Sequence, residues 1–224
     1  MQKFRKYFFE TDFLKSLRFS LHYFPFREAL RLPVLVARGC RIIKLKGTVK
    51  AECPVRTGLI RLGYSSLGTL DPKYNRTLWE VSGLIVLKGV AGFGKGSRIS
   101  VGGELTLGDG FNVTGGCTII CKHKIDIGAD CLFSWDTLIM DTDFHPIYDE
   151  DGRVVNEDRP VHIGDKVWIG CRSTVLKGAV IPDGSVIAAA STITRKLPEP
   201  NCVYGGTQGG TLLKEKIRWR VEEF

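Results

Sequence analysis

Histidine is scarce in this 224-residue chain, which has four: His22, His123, His145 and His162. Chemistry that needs an imidazole therefore has few residues to draw on, and each can be weighed singly. The seven cysteines are odd in number and include no C-x-x-C pair, which argues against a disulfide frame or a cysteine zinc site and for reduced thiols. None sits in an activating context, and Cys40, Cys117 and Cys131 read as small core residues. The longest wholly apolar run near the start, Pro33 to Ala37, is far too short to cross a bilayer. No secretory signal with a cleavage site is visible, so a cytoplasmic location is expected. Acidic residues are sparse at the start: residues 1–46 carry eleven Lys or Arg against Glu10, Asp12 and Glu28, a net of +8, while the remaining 178 residues hold 21 of each sign. Attraction to anionic lipid or phosphate belongs to that segment, and nucleic acid is not an expected partner.

What is abundant is a period of six. Ile163, Ile169, Val175, Ile181, Ile187 and Ile193 recur at strict six-residue spacing. The second position of each hexad is usually small or turn-compatible (Gly164, Gly170, Pro182, Ala188, Thr194), Leu176 excepted. The fifth is short (Val167, Ser173, Ala179, Ser185, Ser191), Leu197 excepted. Neither an amphipathic helix nor an alternating strand repeats every six residues, whereas each flat side of a parallel β-helix consumes one hexad. The register runs backwards with two-residue slips: Ile127, Phe133 and Ile139; then Leu107, Val113 and Ile119; then, more weakly, Val81, Leu87, Phe93 and Ile99. The expected fold is all-β, a coil of hexapeptide repeats over about 41–200. A basic helical segment (1–40) precedes it and a C-terminal tail with a short helix (201–224) follows.

The N-terminal helix is read from Phe4, Phe8, Phe13, Leu14, Leu17, Leu21 and Phe24, with Pro25 ending or kinking it. It either caps the open end of the coil or packs on a neighbouring subunit, or else it lies on the inner membrane surface. Leu212, Leu213, Ile217 and Val221 suggest the C-terminal helix.

Residues 141–160 are charged and lack aliphatic periodicity, so they read as a loop extruded from the coil, where reactive groups tend to sit. His145 lies there in Met140-Asp-Thr-Asp-Phe-His-Pro146. Held by a carboxylate, Asp143 or Asp141, it suits a general base; alternatively the two aspartates cap a turn and His145 is a surface residue. His123 falls at an inside-corner slot of the Ile119 hexad and reads as structural or interfacial. His162 should point outward from its face, and His22 belongs to the N-terminal helix. Trp135 and Asp136, just before the loop, offer a sugar-stacking ring and a hydroxyl acceptor or, equally, interface packing.

Three segments carry a resemblance to a known family: Ile139-Met-Asp-Thr-Asp-Phe-His-Pro-Ile147, Val161-His-Ile-Gly-Asp-Lys-Val-Trp-Ile-Gly170 and Ile181-Pro-Asp-Gly-Ser-Val-Ile-Ala-Ala-Ala-Ser-Thr-Ile-Thr-Arg-Lys-Leu-Pro198. The chain resembles the hexapeptide-repeat, left-handed β-helix acyltransferases of the galactoside and maltose acetyltransferase branch, especially those of capsule and lipopolysaccharide gene clusters. The resemblance implies an acetyl-CoA-dependent O-acetyltransferase acting on a sugar of a surface-polysaccharide precursor. His145 falls on the family's catalytic base, in a cleft between subunits of a homotrimer. It implies an oxyanion donor around Trp168 to Cys171, Cys171 and Ala189 along the pantetheine arm, and Thr194, Arg195 and Lys196 near the nucleotide end of CoA. Asn112, in Phe111-Asn-Val-Thr114, matches an acceptor-binding asparagine. Where many relatives read G-N-P-A-K, this chain has Gly206-Thr-Gln-Gly-Gly210, so Arg195, Lys196, Lys214 or Lys216 would have to replace the missing lysine at the CoA phosphates. An amino-sugar N-acetyltransferase and a non-catalytic trimeric scaffold are the alternatives. A γ-class carbonic anhydrase shares the hexads but needs three zinc histidines; Asp149, not histidine, lies four residues after His145, and no metal is expected.

Overall fold

The computed structural model describes residues 9–64, 68, 70, 71 and 73–221; Phe4 and Phe8 of the expected helix lie outside them. Short parallel strands stack into the three faces of a left-handed prism. The first face has nine strands, running from Val34–Val36 to Val203–Gly205 with Thr211–Lys214 at its far edge. The second has seven, from Arg41–Leu45 to Thr192–Ile193, and the third six, from Thr48–Ala51 to Val180–Ile181. The first strand thus lies ahead of the expected start at 41.

The strand register explains the two-residue slips. After longer first turns, in which Thr48 pairs with Leu84 and Arg41 with Leu78, Glu104 pairs with Lys124 and Arg98 with Thr118, so the middle turns take 20 residues, whereas His162 pairs with Val180 and Thr174 with Thr192, so late turns take 18, or three hexads. The extra pair always falls at the corner between the second and third faces: Lys46-Gly47, Ser82-Gly83, Gly102-Gly103 and Lys122-His123. Stacking is tight there. A Cβ on Gly47 would lie 2.1 Å from the Gly83 carbonyl oxygen, one on Gly83 2.1 Å from that of Gly103, and one on Gly103 2.2 Å from that of His123. His123 is tolerated in this column because the next turn does not close over it: the chain leaves the coil after Leu138–Met140 and returns at Val161–Ile163. The inside-corner reading of His123 is therefore corrected. The two extra residues displace it from the interior, and its side chain is exposed.

Inward hexad residues, Ile163 to Ile193, are buried. Below them the prism axis is filled by edge-to-face rings, Trp79, Phe93, Phe111 and Phe133, with successive centroids 6.4, 5.5 and 5.1 Å apart. Helix α1 (Phe13–Tyr23), capped by Asp12, closes the bottom. Its Phe19 meets Trp79 at 5.8 Å, while the hydroxyls of Ser16 and Ser20 accept the Val36 and Val34 N–H groups at 2.9 and 3.3 Å. The outer donors of the first strand, which would otherwise invite another chain, are thereby satisfied. Pro25 separates α1 from the short α2 (Phe26–Ala29). At the opposite end the expected C-terminal helix is absent. Thr211–Lys214 is a strand, antiparallel to Val203–Gly205, and no helix follows among the described residues. The open edge of the last turn requires backbone partners, and that requirement overrides the helical spacing of Leu212, Leu213 and Ile217.

Candidate functional site

The segment 141–160 forms an arm rooted at the second–third corner. Asp141 is buried, and its carboxylate accepts the N–H groups of Lys122 and His123 at 2.8 and 2.9 Å, capping the corner that the coil leaves uncovered. Thr142 Oγ1 accepts the Phe144 N–H at 2.9 Å, and Phe144 takes a left-handed φ of 63°. Asp143 receives the Lys177 ammonium at 2.5 Å and the Asn156 amide at 2.9 Å; the Lys177 bond foremost, then Asn156, holds its carboxyl below the ordinary value. Asn156 also donates to the His145 carbonyl at 2.9 Å and accepts the Ile147 N–H at 2.6 Å. Beyond them Tyr148 and Val154 pair antiparallel around a turn whose N–H groups of Asp151 and Arg153 bond the Asp149 carboxylate.

His145 is thus fixed through its backbone, its N–H on the Asp143 carbonyl and its carbonyl on Asn156. Its exposed side chain borders a cavity of about 170 Å³ with Lys122, Phe144, Pro146, Val154 and Asn156. Neither expected carboxylate bonds the imidazole: Asp141 is committed to the corner and Asp143 to Lys177 and Asn156. Sequence reasoning passed over Asn156 and Lys177. Their only signals are an amide within an acidic loop and a lysine beside the one bulky second-position residue, Leu176.

A second group occupies the first–second corner. Trp135-Asp136, Cys171-Arg172 and Ala189-Ala190 stack there, the Arg172 N–H on the Trp135 carbonyl at 3.0 Å and the Ala190 N–H on that of Cys171 at 2.9 Å. Asp136, Arg172 and Ala190 all have left-handed φ, 57°, 58° and 57°. The N–H groups of Cys171 and Ala189 make no hydrogen bond among the described residues. A Cβ on Gly170 would come within 2.7 Å of the Ala189 nitrogen, so glycine keeps this corner narrow. Trp168 lies on the first face in register between Leu132 and Val186, partly exposed; its indole donates to Ser134 Oγ at 3.0 Å and its ring meets Trp219 at 6.0 Å. Asn112 shares that outward row, in register with Leu132, beside a different cavity of about 230 Å³.

The remaining candidates lie at the far end. Thr194, Arg195 and Lys196 occupy the last second–third corner, where the Arg195 guanidinium donates to the Gly210 carbonyl at 3.3 Å and Thr194 adjoins Gly209. Lys214 is exposed on the final strand. One chain therefore brings His145 and Lys177 together at one corner and Trp135, Cys171 and Ala189 at another, with the width of the second face between them.

Elsewhere, His162 points outward as expected, its Nδ1 3.0 Å from Asp126 on the third face. All seven cysteines are free, and burial pushes the Cys40 thiol up to about 11 and those of Cys117 and Cys131 up to about 12. Among the described residues no three His, Cys, Asp or Glu side chains cluster to hold a metal ion, and no helix is long and apolar enough to cross a membrane.

Comparison with known proteins adds to this geometry. Residues 160–195 match the family model of the bacterial transferase hexapeptide (six repeats). Over 126 residues, 56% of this chain and 39% of the relative, the sequence is 31% identical to a polysialic acid O-acetyltransferase of Escherichia coli O1:K1 / APEC. Over 110 residues, 48% of this chain and 52% of the relative, it is 32% identical to the galactoside O-acetyltransferase of Escherichia coli K12. The crystal structure of the polySia specific acetyltransferase NeuO superposes with a TM-score of 0.55 over 85% of this chain and 80% of that one, at 18% identity, a likeness of fold. The chain spans about two fifths to one half of the length of these two curated relatives. Repeat and prism define a protein of the left-handed β-helix class, built from hexapeptide repeats. Within that class it is similar to the sugar O-acetyltransferases.

Proposed function

We propose that this protein transfers the acetyl group of acetyl-CoA to a sugar hydroxyl of a surface-polysaccharide precursor, with His145 as general base. The observation that carries the reading is the placement of His145: the one histidine on the extruded arm, backbone-fixed, with its imidazole free to face a cavity. The unprotonated ring takes the proton of the acceptor hydroxyl as its oxygen attacks the thioester carbonyl. The tetrahedral intermediate collapses, the C–S bond breaks, and the imidazolium returns the proton to the departing thiolate. No covalent acyl-enzyme is required. The unused N–H of Cys171 suits the oxyanion, and a narrow corner lined by Gly170, Cys171 and Ala189 suits a thin pantetheine chain. Arg195, Lys196 and Lys214 supply positive charge for the CoA phosphates. Trp168 and Trp135 flank that column. Asn112 and Asp136 are the acceptor candidates, with Asn112 the more distant because its cavity lies two turns away on the first face.

Because His145 and the Cys171 corner lie on opposite edges of one face, the site is completed by a second copy in a homotrimer, one chain giving the base and the next the thioester corner. Mixed oligomers test this. His145→Ala and Ala189→Arg should each be inactive alone, and co-assembled chains should regain activity, since some clefts then combine an intact histidine with an intact corner. Absence of recovery in verified mixed oligomers would refute the shared site; full activity of either single variant would refute the reading. The exposed Leu14, Leu21 and Phe26 beside Arg18 and Arg27 further support peripheral contact with the inner membrane face, where lipid-linked acceptors reside.

A further inference from the structure

We propose that Lys177 is the positioning residue of this site, a cationic clamp that carries the rigidity of the coil to the backbone of His145. The inference rests on the reading of His145 as general base. The arm has little apolar packing to hold it: Phe144, Ile147, Tyr148 and Val155 are 54–60% exposed. Its shape must therefore come from polar contacts: Lys122 adds a long ion pair to Asp158 at 4.0 Å and lies 5.9 Å over the Phe144 ring, while the short hydrogen bonds meet at one other side chain. Lys177 sits at the second–third corner one turn beyond the arm, its side chain only 12% exposed. Its ammonium touches both limbs, donating to Asp143 Oδ2 on the outgoing limb and to the Asn156 carbonyl on the returning limb, each at 2.5 Å. Asn156 then crosses between the limbs with three hydrogen bonds, to Asp143 Oδ2, the His145 carbonyl and the Ile147 N–H. The return of the arm is fixed beside the clamp, where the Gly178 N–H donates to the Pro160 carbonyl at 3.0 Å and Arg159 packs over Gly178. The route from coil to base runs Lys177, Asp143, Asn156, His145, without touching the imidazole. Asp143, which sequence reasoning paired with the imidazole, acts here one residue removed, on the backbone.

Misplacing a base by about 1 Å costs up to about a hundredfold in rate, so removing the clamp should act on turnover. The test uses the full-length oligomer with acetyl-CoA and the acceptor that gives turnover. Lys177→Met, which keeps the stem and removes the charge, should lower kcat about 10- to 100-fold while KM for acetyl-CoA stays within about twofold. Melting of the coil should be nearly unchanged, and hydrogen exchange should quicken over residues 143–156 alone. Lys177→Arg should recover much of the loss, and Asn156→Ser should reproduce the kcat defect from the other end of the relay. An unchanged kcat in Lys177→Met, or a joint fall of kcat, acetyl-CoA affinity and melting temperature, overturns the clamp. His145→Ala with full activity overturns the base assignment instead, whatever Lys177 does.

Discussion

Two adjacent glycines at one corner, Gly102 and Gly103, should respond very unequally to the same substitution. A Cβ on Gly103 would lie 2.2 Å from the His123 carbonyl oxygen of the next turn, whereas on Gly102 its nearest neighbour, the Cys121 carbonyl oxygen, is 3.9 Å away. Relieving the first contact requires the turns to part by about 1 Å, because carbon–oxygen approaches below about 3 Å are repulsive and interiors are close-packed. That movement strains the bonds crossing the corner, Glu104 N–H to His123 carbonyl at 3.0 Å and Gly103 N–H to Cys121 carbonyl at 3.1 Å. Losing these two backbone bonds at about 1–3 kcal/mol each puts Gly103→Ala at about 2–6 kcal/mol. For a chain of this length that is a melting shift of about 4–24 °C. Gly102→Ala should stay within about 0.5 kcal/mol of the parent. Scanning calorimetry of the three proteins, at one concentration because self-association couples to folding, reads the difference. Equal melting temperatures for the two variants would refute the stacked-corner account.

Three further outcomes follow from the same geometry. Cys53 and Cys171 are partly exposed while the other five cysteines are buried, so these two should be alkylated at neutral pH and saturating acetyl-CoA should protect Cys171 but not Cys53; labelling of Cys171 indifferent to acetyl-CoA would remove that corner from the site. Asp143 has its carboxyl lowered below the ordinary 3.8 by Lys177 and Asn156, so its bonds support the arm at pH above the unfolded value and are lost as pH falls through the lower folded one; hydrogen exchange over 143–156 should rise below about pH 3.8 ahead of the coil strands, and simultaneous loosening of both would contradict this. Sedimentation with anionic vesicles should retain the protein at low salt and release it at high salt, and Leu14→Glu with Arg18→Glu should abolish retention; equal binding to neutral vesicles would argue against an electrostatic surface.

Much of the coil was legible because each inward position tolerates only an aliphatic or aromatic residue, and Ile163 through Ile193 state this without interruption. The earlier turns look irregular because a two-residue corner is inserted into each turn before the arm, and Gly47, Gly83 and Gly103 mark that corner in hindsight. The same corner accounts for the misreading of His123: strict hexads put it inside, and the insertion puts it out. His145 could be singled out as a candidate because the arm breaks the aliphatic rhythm. The clamp could not, since Lys177 and Asp143 are 34 residues apart and their meeting depends on which turn follows the arm. The final segment shows the limit of periodicity, for Leu212 and Leu213 fit a helix, yet an open strand edge takes them.

The most direct test of the central claim is free-thiol release from acetyl-CoA with pooled sugar acceptors, comparing the parent protein with His145→Ala while CoA binding is measured separately. The account predicts a loss of about a hundredfold or more in acceptor-dependent release, with CoA binding retained. An unchanged rate in His145→Ala would remove the base from the mechanism, and failure of the parent to bind CoA would contradict acyl transfer altogether.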